Sequence, residues 1–330
     1  MAKFSLKNAE QVRNSITEKQ QKEIYNMYYR MYKDVSKQIQ KYGKDMRTQN
    51  LLLLKRNIVY HMKQISQDIQ DGVVTNMNIM AEAVVEDTRT FLKYCGFKDA
   101  DIHNAFEYVP NQIVDAIVTG NVYKDGWTLS KAIWGSQKRT QDNLDRIIAI
   151  GTKQGKSAYE VAQDIEQYVL PSASKPSRTI SSWRYATSAD VSAGRAKSSG
   201  EKIYDTFYFG RVDYNAQRLV RTLISHAYQQ SFMQVNENDP FVIGYRWLTS
   251  NFHGRVCKVC RDRATQNRYG LGVGVFPKNQ LPLDHPNGMC TFEAVMPDSM
   301  LSISDKIARW YNSPSGTYPD IDRYVLDFVR

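Results

Sequence analysis

Apolar side chains recur at three- and four-residue steps through most of the first hundred residues, the spacing of a single helix face. Ile24, Tyr28, Met31, Val35, Ile39 and Tyr42 form a first stripe, with Lys, Gln and Glu between them and Gly43 as a stop. Leu51, Leu54, Ile58, Met62, Ile65 and Ile69 form a second, closed by Asp71-Gly72. Met77, Met80, Ala81, Val84, Val85, Thr88 and Phe91 form a third that ends near Gly96. These stripes predict helices packed side by side or against a partner, with their Met and Tyr residues in the core. Between Asp99 and Trp134 the pattern is shorter and interrupted by Pro110, Gly120 and Gly126. Two further helices are expected. Thr140 caps one that runs through Leu144, Ile147 and Ile148 to Gly151. Ser157 caps the other, through Val161, Ile165 and Tyr168, with Glu160 completing a capping box.

The run Pro171-Ser172-Ala173-Ser174-Lys175-Pro176-Ser177 reads as a linker. Beyond it, helices are expected over Ser181–Ala196 and Ala216–Gln234, the latter with Leu219, Leu223, Ala227, Phe232 and Met233 on its apolar face. The character changes after Asp239-Pro240. Val242, Ile243, Tyr245, Trp247 and Leu248 predict a strand, turns rich in Gly, Pro and Asn follow, and Phe292, Ala294 and Val295 predict a second strand. A short amphipathic stretch, Ile303–Trp310, precedes Tyr324-Val325-Leu326-Asp327-Phe328, which could dock on a neighbour. The expected fold is mainly α, with a long helical N-terminal region, central helices and a small C-terminal zinc-stapled α+β module. The expected organisation is a helical N-terminal region over 1–135, a helical hairpin over 136–170 and a linker over 171–178. A module over 179–297 follows, with its metal site in 240–297, and then a tail over 298–330.

At 330 residues, with 42% hydrophobic and 12% aromatic residues, the chain can bury sizeable cores. No apolar run has transmembrane length and no signal-peptide core follows Met1, so a soluble protein made in the cytoplasm is expected. The net charge of +10 is unevenly spread: residues 1–60 hold thirteen Lys/Arg against five Asp/Glu, whereas 298–330 hold four against five. Such an excess favours polyanions or acidic protein surfaces, and no sequence-reading element accompanies it.

Three of the four cysteines crowd into 34 residues beside a histidine, which suits a metal in a reducing compartment better than a disulfide framework. Cys95, which stands apart, reads as a buried apolar residue near a helix end. Cys257-Lys258-Val259-Cys260 is a C-x-x-C knuckle, in which two thiolates can bind one ion from a single turn. Asp284-His285-Pro286-Asn287-Gly288-Met289-Cys290 adds an imidazole and a third thiolate. Cys257, Cys260, His285 and Cys290 would fill a tetrahedral Zn²⁺ shell and leave no open position for substrate. The loop between the two halves is rich in Gly and Pro and cannot build a core of its own, so a metal cross-link would stabilise it.

Catalytic signatures are sparse. The zinc deaminase pattern, a phosphate-binding P-loop and a nucleophile elbow are all missing from the sequence. Asp284-His285 after a cysteine knuckle invites comparison with HNH-type nucleases. However, no histidine follows His285, and an imidazole bound to zinc cannot act as general base. His61, His103 and His226 lie singly on predicted helices and read as solvated or hydrogen-bonded residues.

Several of these stretches together resemble the Mu F-like minor head proteins of tailed phages, the head morphogenesis family. They are Ile147–Gly151 with Gly155–Ala162, Arg221-Thr222, Gly244-Tyr245-Arg246-Trp247, Arg255–Cys260 and Leu281–Cys290. The resemblance covers roughly 140–297 and is most specific in the paired Arg-Val-Cys-x-x-Cys and His-Pro-x-x-x-Cys. It departs from the family at His253-Gly254, where an Asp is common, and at Gly288-Met289-Cys290, where a further cysteine often stands. The resemblance implies a structural virion protein without enzymatic activity, held near the portal inside the head and aiding head assembly, DNA packaging or genome ejection. Its implied partners are the portal protein, the major capsid or scaffolding protein and, non-specifically, packaged DNA, with no membrane contact before ejection. The alternatives are a zinc-containing HNH-like nuclease and a host-type nucleic-acid-binding zinc ribbon.

Overall fold

The computed structural model describes every residue except Met1, Lys124, 172–176, Arg211, 251–255 and 329–330. Helix predominates. In chain order the elements are β1 (Ala2–Ser5), α1 (Lys7–Tyr42), α2 (Thr48–Cys95), α3 (Asp99–Ile102), α4 (Val109–Thr119), α5 (Leu129–Lys153) and α6 (Ala158–Val169). Then come β2 (Ser177–Tyr185), α7 (Ser188–Ser192), β3 (Lys202–Gly210), α8 (Val212–Val235), β4 (Gly244–Leu248), α9 (Lys258–Thr265), β5 (Val275–Pro277), β6 (Thr291–Met296), α10 (Met300–Tyr311) and α11 (Pro319–Leu326). No helix among the described residues is long and apolar enough to cross a membrane.

The chain forms two compact units that follow packing rather than chain order. One comprises Met1–Lys19, Asp71–Leu129 and Leu219–Arg330; the other comprises Gln20–Gln70 and Ser130–Arg218. Boundaries at 135, 170, 178 and 297 therefore do not coincide with the edges of these units. The expected linker lies largely outside the described residues, and Ser177 and Arg178 already belong to β2.

In the first unit an antiparallel sheet runs in the order β1-β6-β4-β5. Alternation along the strands builds its core. Tyr245 and Trp247 on β4 and Phe292 and Ala294 on β6 are buried, while Arg246 and Glu293, opposite each other in register, are half-buried and form an ion pair. The buried face of α8 lies against this layer, with Phe232 packed on Tyr245 and Tyr228 stacked over Phe292. The strand β1 is an addition to the helical N-terminal region expected over 1–135. Only four residues long, it pairs with β6 and sets Phe4 on Phe91 of α2, with ring centroids 4.2 Å apart. So short a stretch carries no usable periodicity; the edge of β6 selects its conformation. The tail folds back onto its own unit, where Tyr324 and Phe328 are buried against Phe106.

In the second unit the expected stripe of Ile24, Tyr28, Met31, Val35 and Ile39 is buried. Ser157 caps α6 as read: its hydroxyl accepts from Glu160 N, and the Glu160 carboxylate accepts from Ser157 N at 2.8 Å. A Cβ on Gly151 would collide with the Val161 side chain, so this glycine allows α5 and α6 to approach closely.

Three helix expectations are corrected. Gly72 does not end a helix, because α2 is continuous across it; a mid-helix glycine costs only about 1 kcal/mol, and the buried Ile69, Val73 and Met77 around it outweigh that. Thr140 is not a cap but an interior residue of α5, its hydroxyl donating to Ser136 O at 3.1 Å. Ser181–Ala196 is not one helix. Its first residues lie in β2, whose partner β3 is rich in Tyr and Phe, and only Ser188–Ser192 are helical.

Candidate metal centre

The polar face of α8 organises the turn that carries His285. Thr222, Ser225, His226 and Gln229 lie at helical spacing, and each bonds the backbone of residues 282–288. Gln229 donates to Pro282 O at 2.8 Å and accepts from Asp284 N at 2.8 Å. His226 Nε2 donates to Asp284 O at 3.0 Å, which leaves Nδ1 to accept from the Tyr123 hydroxyl at 2.9 Å. Ser225 donates to Gly288 O, and Thr222 accepts from Asn287 N, each at 2.8 Å. Arg221 bonds the Asn287 side chain. Asn287 itself takes a positive φ of 70°, a left-handed conformation that Asn tolerates.

Asp284 closes the turn from within. It is buried, and its two carboxylate oxygens accept from His285 N at 2.8 Å and Cys290 N at 3.2 Å. Gly288 sits so close to this carboxylate that any Cβ there would overlap it.

The other half of the site is the start of α9. Cys257 is the N-cap residue, and its sulfur accepts from Cys260 N at 3.3 Å. His285 Nε2 lies 3.2 Å from Cys257 Sγ and 3.0 Å from Cys260 Sγ. On the far side of the ring, Nδ1 faces Pro286 O at 3.0 Å; a carbonyl only accepts, so the proton is on Nδ1 and the Nε2 lone pair points at the sulfurs. A hydrogen bond from the second ring nitrogen is how metal-bound histidines are commonly oriented. Cys257, Cys260 and His285 form one group able to hold a metal ion, and Cys260, Asp284 and Cys290 form a second that shares Cys260. In a tetrahedral shell with bonds of about 2.0–2.3 Å, ligand atoms stand about 3.5 Å apart, a few tenths more than the two sulfur–nitrogen distances here.

Burial pushes the Cys260 thiol up, and the neighbouring Cys290, Cys257 and Asp284 push it further. Burial, then Asp284, likewise raises Cys290. The exposed Cys257 is lowered: desolvation, the largest single effect, acts upward, but the Cys260 N–H, the Cys260 thiol and His285 together outweigh it. Crowded sulfurs beside a buried carboxylate resist ionising together, and a cation among them reverses that preference.

Thus three of the four expected ligands converge, and Cys290 joins through Cys260. Cys95 is buried at the end of α2, as read. His226 is buried and hydrogen-bonded, His61 pairs with Asp34 at 3.6 Å, and His103 faces Ala100 O. His253 and Gly254 lie outside the described residues. Sequence reasoning missed the α8 cradle and Arg13, whose guanidinium is buried and donates to Cys290 O at 2.8 Å and Met289 O at 3.1 Å. The run of Thr222, Ser225, His226 and Gln229 on one face was the available signal for the cradle. Nothing local to Arg13 could have shown its role.

Set beside known proteins, the chain matches no family model, no curated sequence and no solved structure.

Proposed function

We propose that Cys257, Cys260, His285 and Cys290 hold one structural Zn²⁺, and that the chain is a structural minor head protein of a tailed phage. The observation that carries the metal reading is His285, whose Nε2 lone pair is turned toward two cysteine sulfurs by the Nδ1 bond to Pro286. Thiolate-rich donor sets favour zinc over magnesium or calcium, and the ion would cross-link the start of α9 to the turn before β6. A structural role is favoured over catalysis because both oxygens of Asp284 already accept backbone N–H groups, so the carboxylate serves the turn.

The phage reading rests on the resemblance over 140–297, with the Lys/Arg excess as its physical companion. A protein packed among phosphates gains from cations that release counterions. In this reading the chain sits inside the head near the portal, contacts the portal and the capsid or scaffolding protein, and supports assembly, packaging or ejection. Purified particles made from the genome that encodes it test the assignment. The chain should be present in a few copies, protected from protease until heads are opened. Its absence from intact particles would refute the virion role, and divalent-ion-dependent nicking of plasmid by the purified chain would favour the HNH-like nuclease instead.

A further inference from the structure

The second unit carries an open groove of about 500 Å³ walled by residues 56–70 of α2 and 130–141 of α5. Its floor is closed by buried Met62, Ser66 and Ile133. Its rim is unusual for a solvated helix pair, since Tyr60 and Trp134 leave 63% and 61% of their surface open to solvent. Arg56 and Lys63 stand beside them, four glutamines complete the walls, and no carboxylate lines the groove. Among the described residues neither Arg56 nor Lys63 forms an ion pair, whereas Lys55, one position away, is taken by Asp145. Lys138, outside the groove lining, lies over the Trp134 ring, 5.2 Å from its centroid.

We infer that this groove binds single-stranded nucleic acid. Two exposed rings offer faces on which bases stack, the cations meet the phosphates, and the glutamine amides can bond base edges. This combination of aromatic platform and basic track typifies single-strand binding without sequence preference. Duplex bases are already stacked on each other and cannot use Trp134 or Tyr60. A bare acidic polypeptide would satisfy the cations but not the rings. The inference is independent of the metal centre and of the virion assignment.

Fluorescence anisotropy of the full chain with labelled dT20, a duplex of equal length and polyglutamate as competitor tests it. The chain should bind dT20 several-fold more tightly than the duplex. Trp134→Ala should lose roughly tenfold on dT20, the loss of one stacked base, with duplex binding unchanged; Trp134→Phe should retain most of the affinity. Arg56→Gln with Lys63→Gln should flatten the salt dependence on dT20 by about 1.4 log units per log unit, two phosphates at roughly 0.7 each. Because Trp134 is exposed, its variants should melt with the parent, and this is checked alongside. Unchanged dT20 affinity in Trp134→Ala, or equal displacement by polyglutamate and unlabelled dT20, overturns the inference; the second result would point to an acidic protein partner.

Discussion

Arg13 donates to the carbonyl oxygen of Cys290 at 2.8 Å across 277 positions of sequence. It also donates to Met289 O and lies over the Tyr228 ring at 4.4 Å, and it is 1% exposed. The first turns of α1 therefore fix the backbone of one candidate metal ligand. Arg13→Ala leaves two buried carbonyls unpaired and opens a cavity, so it should lower stability by about 3 kcal/mol, read as a shift in urea midpoint. It should also weaken metal retention. A variant as stable as the parent would show that the contact is incidental.

Gly288→Ala probes the turn itself. The new methyl group would overlap the Asp284 carboxylate, which must then release His285 N or Cys290 N. We expect destabilisation of about 1–3 kcal/mol for each bond lost, together with reduced metal content. Retention of both parent stability and metal would mean that the clamp is dispensable.

These two sites mark the limit of what was legible in the chain. The four candidate ligands could be read because a cysteine knuckle and a following His-x-x-x-x-Cys are short-range patterns. The stripes on α1 and α2 could be read because burial imposes helical spacing. Gly72 misled because local helix cost was weighed without the packing around it. The clamp of Arg13 on Cys290 was invisible because it depends on tertiary contact, and so was β1, whose conformation depends on the edge of β6. The hairpin of β2 and β3 was missed for a different reason. A helix is expected over Ser181–Ala196 when that stretch is read alone, without the Tyr and Phe of β3 as a partner strand.

Asp239 should give stability a pH dependence. Burial pushes its carboxyl up to about 6 from an ordinary 3.8, against the opposing effects of Phe241 N–H and Lys278. The folded state therefore keeps this proton to higher pH than the unfolded state, so this group's contribution to stability is lost as pH rises from about 4 through about 6. Asp239→Asn removes the ionisable group while keeping an acceptor for Phe241 N. Relative to the parent, the variant should gain up to about 2–3 kcal/mol between pH 4 and pH 8 in urea unfolding. A difference that does not vary with pH would place Asp239 in a wetter environment than its full burial implies.

Metal content, measured by mass spectrometry on the freshly reduced full chain, decides whether Cys257, Cys260, His285 and Cys290 hold a structural metal. About one zinc per chain is expected in the parent and in His285→Cys, which keeps a closed four-ligand shell. Zinc should be lost and the melting temperature lowered together in Cys257→Ser, Cys260→Ser, His285→Ala and Cys290→Ser, because binding free energy at such a site is folding free energy. A folded parent with no stoichiometric metal, melting at the same temperature as these variants, would contradict a structural metal there.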